Sequence, residues 1–114
     1  MDLDELAAAI KKTSSDPIAL KLSDLISSWK ADQLNAIELE SNVERYIGNT
    51  WMADTIEHEK IYALWSQFRG DAIHGIGGMT MNERLYCFSL FPLWDDAKTE
   101  EERKAIYAKL LANP

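Results

Sequence analysis

The sequence predicts an all-α fold, and three observations carry that prediction. Apolar residues recur at three- and four-residue steps in several separate segments. Cap residues with a glutamate three positions later open several of these, as in Asp2–Glu5, Thr80–Glu83 and Thr99–Glu102. No segment alternates apolar and polar residues with the period of a strand, and no hairpin dipeptide stands between β-branched runs. The expectation is a single compact domain over residues 1–114, with five or six helices around a central apolar helix at about 81–91.

The first helix is expected from Asp2 to Lys12, with acids in its first turn, Lys11 and Lys12 in its last, and Leu3, Leu6, Ala7 and Ile10 as its apolar stripe. Asp16-Pro17 opens a second, because proline in a first turn gives up no helical hydrogen bond. Ile18, Leu22, Leu25, Ile26 and Trp29 form its face. A third runs from about Leu34 to Ile47 on Ala36, Leu39, Val43, Tyr46 and Ile47, with Gly48-Asn49 as a left-handed C-cap. Trp51 either packs at the following corner or projects. A fourth helix starts at about Ala53 or Asp54 and reaches Ile73 or His74, with Ile61, Leu64, Trp65, Phe68 and Ala72 inward. Gly75-Ile76-Gly77-Gly78 is the turn before the central helix, which Thr80 opens. From Leu85 to Trp94 only Ser89 and Pro92 interrupt an apolar run, and a helix so apolar on every side belongs in the interior. Pro92 must end or kink it near Phe91. Thr99 and Glu102 start the last helix, with Ile106, Tyr107, Leu110 and Leu111 as its stripe.

At 114 residues the chain can bury most of the surface it exposes when unfolded, so no disulfide or metal staple is required. The one cysteine, Cys87, lies in the most apolar run and reads as a buried free thiol. The opening MDLDEL has acids where a signal peptide would carry lysine or arginine, and no apolar run approaches the ~18 residues of a membrane span. A cytoplasmic protein with no membrane partner is expected.

The net charge of −7 is unevenly spread. Residues 32–59 hold Asp32, Glu38, Glu40, Glu44, Asp54, Glu57 and Glu59 against Arg45 alone, while the flanking segments are close to neutral. Such a surface repels nucleic acid and steers a basic partner toward it. It reads either as a solvated face or as a docking surface made of Glu38, Glu40, Glu44, Asp54, Glu57 and Glu59, with Tyr46 and Trp51 as aromatic anchors.

Other motifs carry less chemistry. HGIGGMT lacks the lysine of a P-loop and the preceding strand of a dinucleotide fingerprint, and reads as a tight interhelical turn. Asp71 and His74 share a helical face, but a di-metal bundle needs a second such pair, and His58, between Glu57 and Glu59, does not supply one. No nucleophile elbow is present, and Asp95, Asp96, Glu100, Glu101 and Glu102 sit at a helix start, where acids favour the dipole. No catalytic residue, metal or cofactor is expected.

The segment GIGGMTMNERLYCFSLFPLWDDAKTEEERKAIYAKLL resembles a pattern of small bacterial proteins with no agreed activity. The pattern is carried here by Met79, Asn82, Glu83, Arg84, Leu85, Leu90, Trp94 and Asp95. In size, acidity and helical character the whole chain is similar to immunity proteins of bacterial toxin systems, those of colicins and of contact-dependent growth inhibition. That resemblance implies a non-enzymatic protein that neutralises a basic toxin domain, in many cases a nuclease. It transfers no residue, because the paired-tyrosine motif of the colicin DNase immunity helices is absent and Tyr46 is isolated. The alternatives are a helical structural or regulatory module that forms a homodimer near Phe91 to Trp94, and a small metal-binding enzyme using Asp71 and His74.

Overall fold

Every helix that the sequence marks with a cap residue begins there. The structure is a computed structural model that describes residues 1–114. Helix α1 (Leu3–Thr13) starts at Asp2, whose carboxylate accepts the Glu5 amide at 2.8 Å while the Glu5 carboxylate accepts the Asp2 amide at 2.9 Å. Helix α2 (Pro17–Ser28) starts at Asp16, which accepts the Ile18 amide at 2.9 Å, and it ends in a 3-10 turn over Trp29–Ala31. Asn35 and Glu38 make a reciprocal capping box for α3 (Ala36–Asn49), and Asp54 accepts the Ile56 and Glu57 amides at the start of α4 (Thr55–Phe68). Each cap contributes about 1 kcal/mol by satisfying amides that the helix leaves unpaired.

Beyond Phe68 the same helix continues as a π turn, Arg69–Ile73, so helical backbone reaches Ile73 as the sequence predicts. A 3-10 turn over Ile76–Gly78 follows. The glycine at position 75 is required by close approach, since a Cβ there would lie 2.7 Å from the Asp71 carbonyl oxygen. Helices α5 (Met81–Cys87), α6 (Phe91–Asp96) and α7 (Glu100–Lys109) complete an all-helical chain.

Three expectations need correction. There are seven α-helices, not five or six. The central apolar helix at 81–91 is two short helices, broken at Phe88–Leu90 before Pro92 is reached. Ser89 takes a left-handed φ of 57°, its amide donates to Tyr86 O, and the Leu90 amide donates to Leu85 O at 2.9 Å. These are the two bonds of a Schellman stop, with buried Leu85 and Leu90 as its apolar pair. The Ser89 hydroxyl in turn accepts the Asp4 amide at 3.1 Å, which ties this turn to the start of α1. Finally, Gly48-Asn49 is not a left-handed cap. Helix α3 runs through Asn49, and side chains satisfy its last carbonyls: Asn49 donates to Arg45 O and Thr50 to Tyr46 O at 2.7 Å.

The core is organised around α1, which packs against both α2 and α4 with Leu3, Leu6, Ala7 and Ile10 buried. An aromatic row passes through the interior, from Trp29 to Phe88 at 5.5 Å between centroids, to Phe68 at 5.6 Å and to Trp65 at 6.1 Å. Each such pair contributes about 1 kcal/mol beyond the area it buries. From the apolar run it is Leu85, Phe88 and Leu90 that reach this core, whereas Tyr86, Phe91 and Leu93 face solvent. Arg84 fastens α7: its Nη1 donates to Leu110 O and Leu111 O, both at 2.9 Å, where that helix ends in a second Schellman stop with Leu111 at φ 57°. No helix is long and apolar enough to cross a membrane.

Candidate partner-binding surface

The acidic segment 32–59 is divided by the fold into carboxylates bound internally and carboxylates that face outward. Asp32 is bound internally. It accepts Lys109 Nζ at 2.9 Å through Oδ1 and at 3.0 Å through its backbone carbonyl, and Leu34 O accepts the same ammonium at 2.8 Å. The Lys109 side chain is only 6% exposed and lies 4.1 Å above the Trp29 ring. Burial lowers its pKa against the opposing pull of the Asp32 hydrogen bond and charge.

Along α3 the acids serve the fold. Glu38 caps the helix through Oε1. Glu40 Oε2 meets His74 Nε2 at 2.7 Å. Glu44 Oε1 accepts Trp65 Nε1 at 2.9 Å and also accepts a short bond from Arg69 Nη1. Burial opposes the Arg69 charge, but the Glu44 carboxylate outweighs it and the guanidinium pKa is raised. The π turn carries Arg69, and His74 follows directly after it, so one irregular stretch supplies both side chains that meet the α3 carboxylates. Tyr46 is half-buried and donates its hydroxyl to Ile18 O at 2.8 Å; burial, then the Asp16 charge, raises its pKa.

The corner between α3 and α4 is different. Trp51 is 67% exposed and its ring stacks on His58, 4.3 Å between centroids and 31° between planes. The open choice between packing and projecting is therefore settled: the indole projects, with one face covered. His58 shares a shallow crevice with Tyr46, Thr50 and half-exposed Tyr62. Asp54 caps α4 with Oδ1 alone and remains exposed, as does Glu59. Glu57 is half-buried, with one carboxylate oxygen enclosed and lacking a hydrogen-bond partner. Ile56 is exposed too, but two residues along a helix turn it by about 200° from His58, onto another side of α4.

The structure thus leaves Trp51, Asp54 and Glu59 outward where α4 begins, while Glu40, Glu44 and Tyr46 are engaged within the chain; exposed Glu38, like Asp54, caps its own helix through one oxygen. The sequence reading missed His58 as the platform beneath Trp51. The available signal was a histidine in the second turn of a helix that follows an aromatic loop residue.

A cleft of about 430 Å³ lies between α7 and the segment around residues 30–38, walled by Lys30, Asp32, Glu38, Leu93, Ile106 and Lys109. Its cations are already matched within the chain, Lys109 by Asp32 and Lys30 by Asp4 at 2.6 Å. Asp71 and His74 do not form a ligand set, since His74 is turned to Glu40, and nowhere do three His, Cys, Asp or Glu side chains converge as a metal site. Cys87 is half-buried, and desolvation raises its thiol pKa, which suppresses the reactive thiolate. No family model matches the chain, and no curated protein or solved structure matches it.

Proposed function

We propose that the chain is a non-enzymatic binding protein that docks a basic protein partner at the α3–α4 corner. The observation that carries this reading is Trp51, a large indole held outward on His58 in a stretch whose exposed carboxylates are Asp54 and Glu59. An exposed aromatic with a fixed orientation loses little freedom on binding, and the surrounding acids speed encounter with a cation-rich surface. The finer reading is neutralisation of a basic toxin domain, an immunity function, supported by the acidity and helical build of the chain. A tagged chain isolated from its native host, followed by association kinetics with the captured protein, tests both levels. The expected partner is basic, its on-rate falls with added salt, and Glu59→Lys slows it. Unchanged kinetics in Glu59→Lys and in Trp51→Ser would move the docking surface elsewhere.

A second reading, self-association, is favoured by Phe91 and Leu93, the latter 43% exposed, within residues 60–114, whose charges balance. Sedimentation at low and high concentration tests it, and a single monomeric species throughout removes it.

A further inference from the structure

We infer that the open face of Trp51 is a subsite for an arginine side chain of the partner, with Asp54 accepting from its guanidinium. This rests on the reading of the chain as a binder of basic proteins and adds the identity of the residue recognised.

The other three tryptophans are already engaged within the chain. Trp29 carries the Lys109 ammonium over its ring at 4.1 Å, and Trp94 carries the Arg103 guanidinium at 4.6 Å. Trp65 is fully buried, with its N–H given to Glu44. Trp51 alone presents a wide ring face to solvent with no cation over it. The electron-rich face of an indole attracts a cation more strongly than any other aromatic ring does. His58 occupies the inner face at 4.3 Å and holds the ring in place, so the outer face is preformed.

The stretch that carries it is acidic, and Lys60 is the first cation after it. From Trp51 to Glu59 there are three carboxylates and no lysine or arginine. Asp54 lies one helical turn before His58, whose amide donates to its carbonyl at 3.0 Å, and Glu59 directly follows His58. Asp54 therefore lies on the face of α4 that carries His58, while Glu59, turned by about 100°, adds its charge from the side. A guanidinium lies flat on an indole with its in-plane N–H groups free for such acceptors, and it gives up less hydration than an ammonium does. Lys109 achieves both contacts over Trp29 only where it is almost fully buried, whereas Trp51 is exposed. Phosphate is repelled by the same acids, and a second copy would bring an equally acidic corner against this one.

Two capped peptides of equal length and charge, hexa-arginine and hexa-lysine, are titrated at low salt into the isotope-labelled chain and followed at the tryptophan indole N–H resonances. Trp51→Leu assigns the resonance; the exposure of the side chain makes this variant fold normally, which its own spectrum verifies. The expected result is movement of the Trp51 resonance, about threefold tighter binding of the arginine peptide, and equal binding of both peptides by Trp51→Leu. Equal affinities in the wild type, or an arginine preference that persists in Trp51→Leu, would overturn the subsite while leaving acidic docking in place. Binding of neither peptide would overturn the subsite together with the broader reading. A Trp51 resonance that shifts with protein concentration alone identifies a second copy as the occupant and also overturns it.

Discussion

Lys109 reaches 77 residues back along the chain to place its ammonium 2.9 Å from the Asp32 carboxylate. The last helix is thereby fixed to the turn that follows α2 by an almost fully buried charge. Removing one partner from such a pair strands the other, whereas removing the buried charge itself also removes its desolvation penalty. Asp32→Ala is expected to lower stability by about 3 kcal/mol. Lys109→Met is expected to lower it by about 1–2 kcal/mol, leaving Asp32 at the surface. Urea unfolding of the two variants checks the order, and a larger loss for Lys109→Met contradicts it.

The same lysine shapes the alkaline response. Its folded pKa lies below the ordinary 10.5, so between that lowered value and 10.5 the unfolded chain holds a proton that the folded chain has released. Stability from this group therefore rises with pH across that window. Tyr46 acts with the opposite sign: its folded pKa is above the ordinary 10.0, so the unfolded chain ionises first and stability falls as pH climbs past that point. The stability advantage of the wild type over Lys109→Met is expected to grow as pH rises from the lowered folded pKa of Lys109 toward 10.5. Tyr46→Phe is expected to soften the loss above about pH 10. Denaturation midpoints measured across this range test both signs.

Glu44 and Glu59 belong to the same acidic segment but have different roles. Glu44→Ala leaves the buried Trp65 N–H and the Arg69 guanidinium without their acceptor, and is expected to lower stability by about 2 kcal/mol. Glu59 has no internal partner, so Glu59→Lys is expected to stay within about 0.5 kcal/mol of the wild type. Thermal unfolding distinguishes them, and equal effects would remove the division between structural and outward carboxylates.

Two residues hold left-handed backbone without being glycine, Ser89 and Leu111, both at φ 57°. Leu111 is half-exposed, so Leu111→Gly is expected to raise stability by about 1 kcal/mol through relief of the Cβ clash. Ser89→Gly relieves the same clash but loses the hydroxyl that accepts the Asp4 amide, and no gain is expected. Melting temperatures of the two variants read this out directly.

These sites show where the sequence was informative. Helix starts were legible because their bonds are local: Asp2, Asp16-Pro17, Asp54 and Thr80 cap amides within three residues of themselves. Helix stops were not. Glycine is the usual mark of a left-handed stop, yet Gly48 continues its helix while Ser89 and Leu111 end theirs. The compensating contacts, Asp4 to Ser89 and Arg84 to Leu110 and Leu111, come from far along the chain. For the candidate site, the charge imbalance and the aromatic anchor were readable. Which acids remained outward was not, because Glu40 and Glu44 find His74 and Arg69 only once α3 lies against the π turn.

The π turn at Arg69–Ile73 gives its helix a wider coil than a regular spiral has. Each residue of an α-helix rotates the chain by about 100°, so the heading of everything after Ile73 is set by that one surplus amino acid. Excising a single position there would leave two well-formed halves aimed past each other, with Phe88 swung out from between Trp29 and Phe68. Registration of the two halves is a matter of counting, and a one-residue deletion at this joint is a graver lesion than most exchanges of one side chain for another.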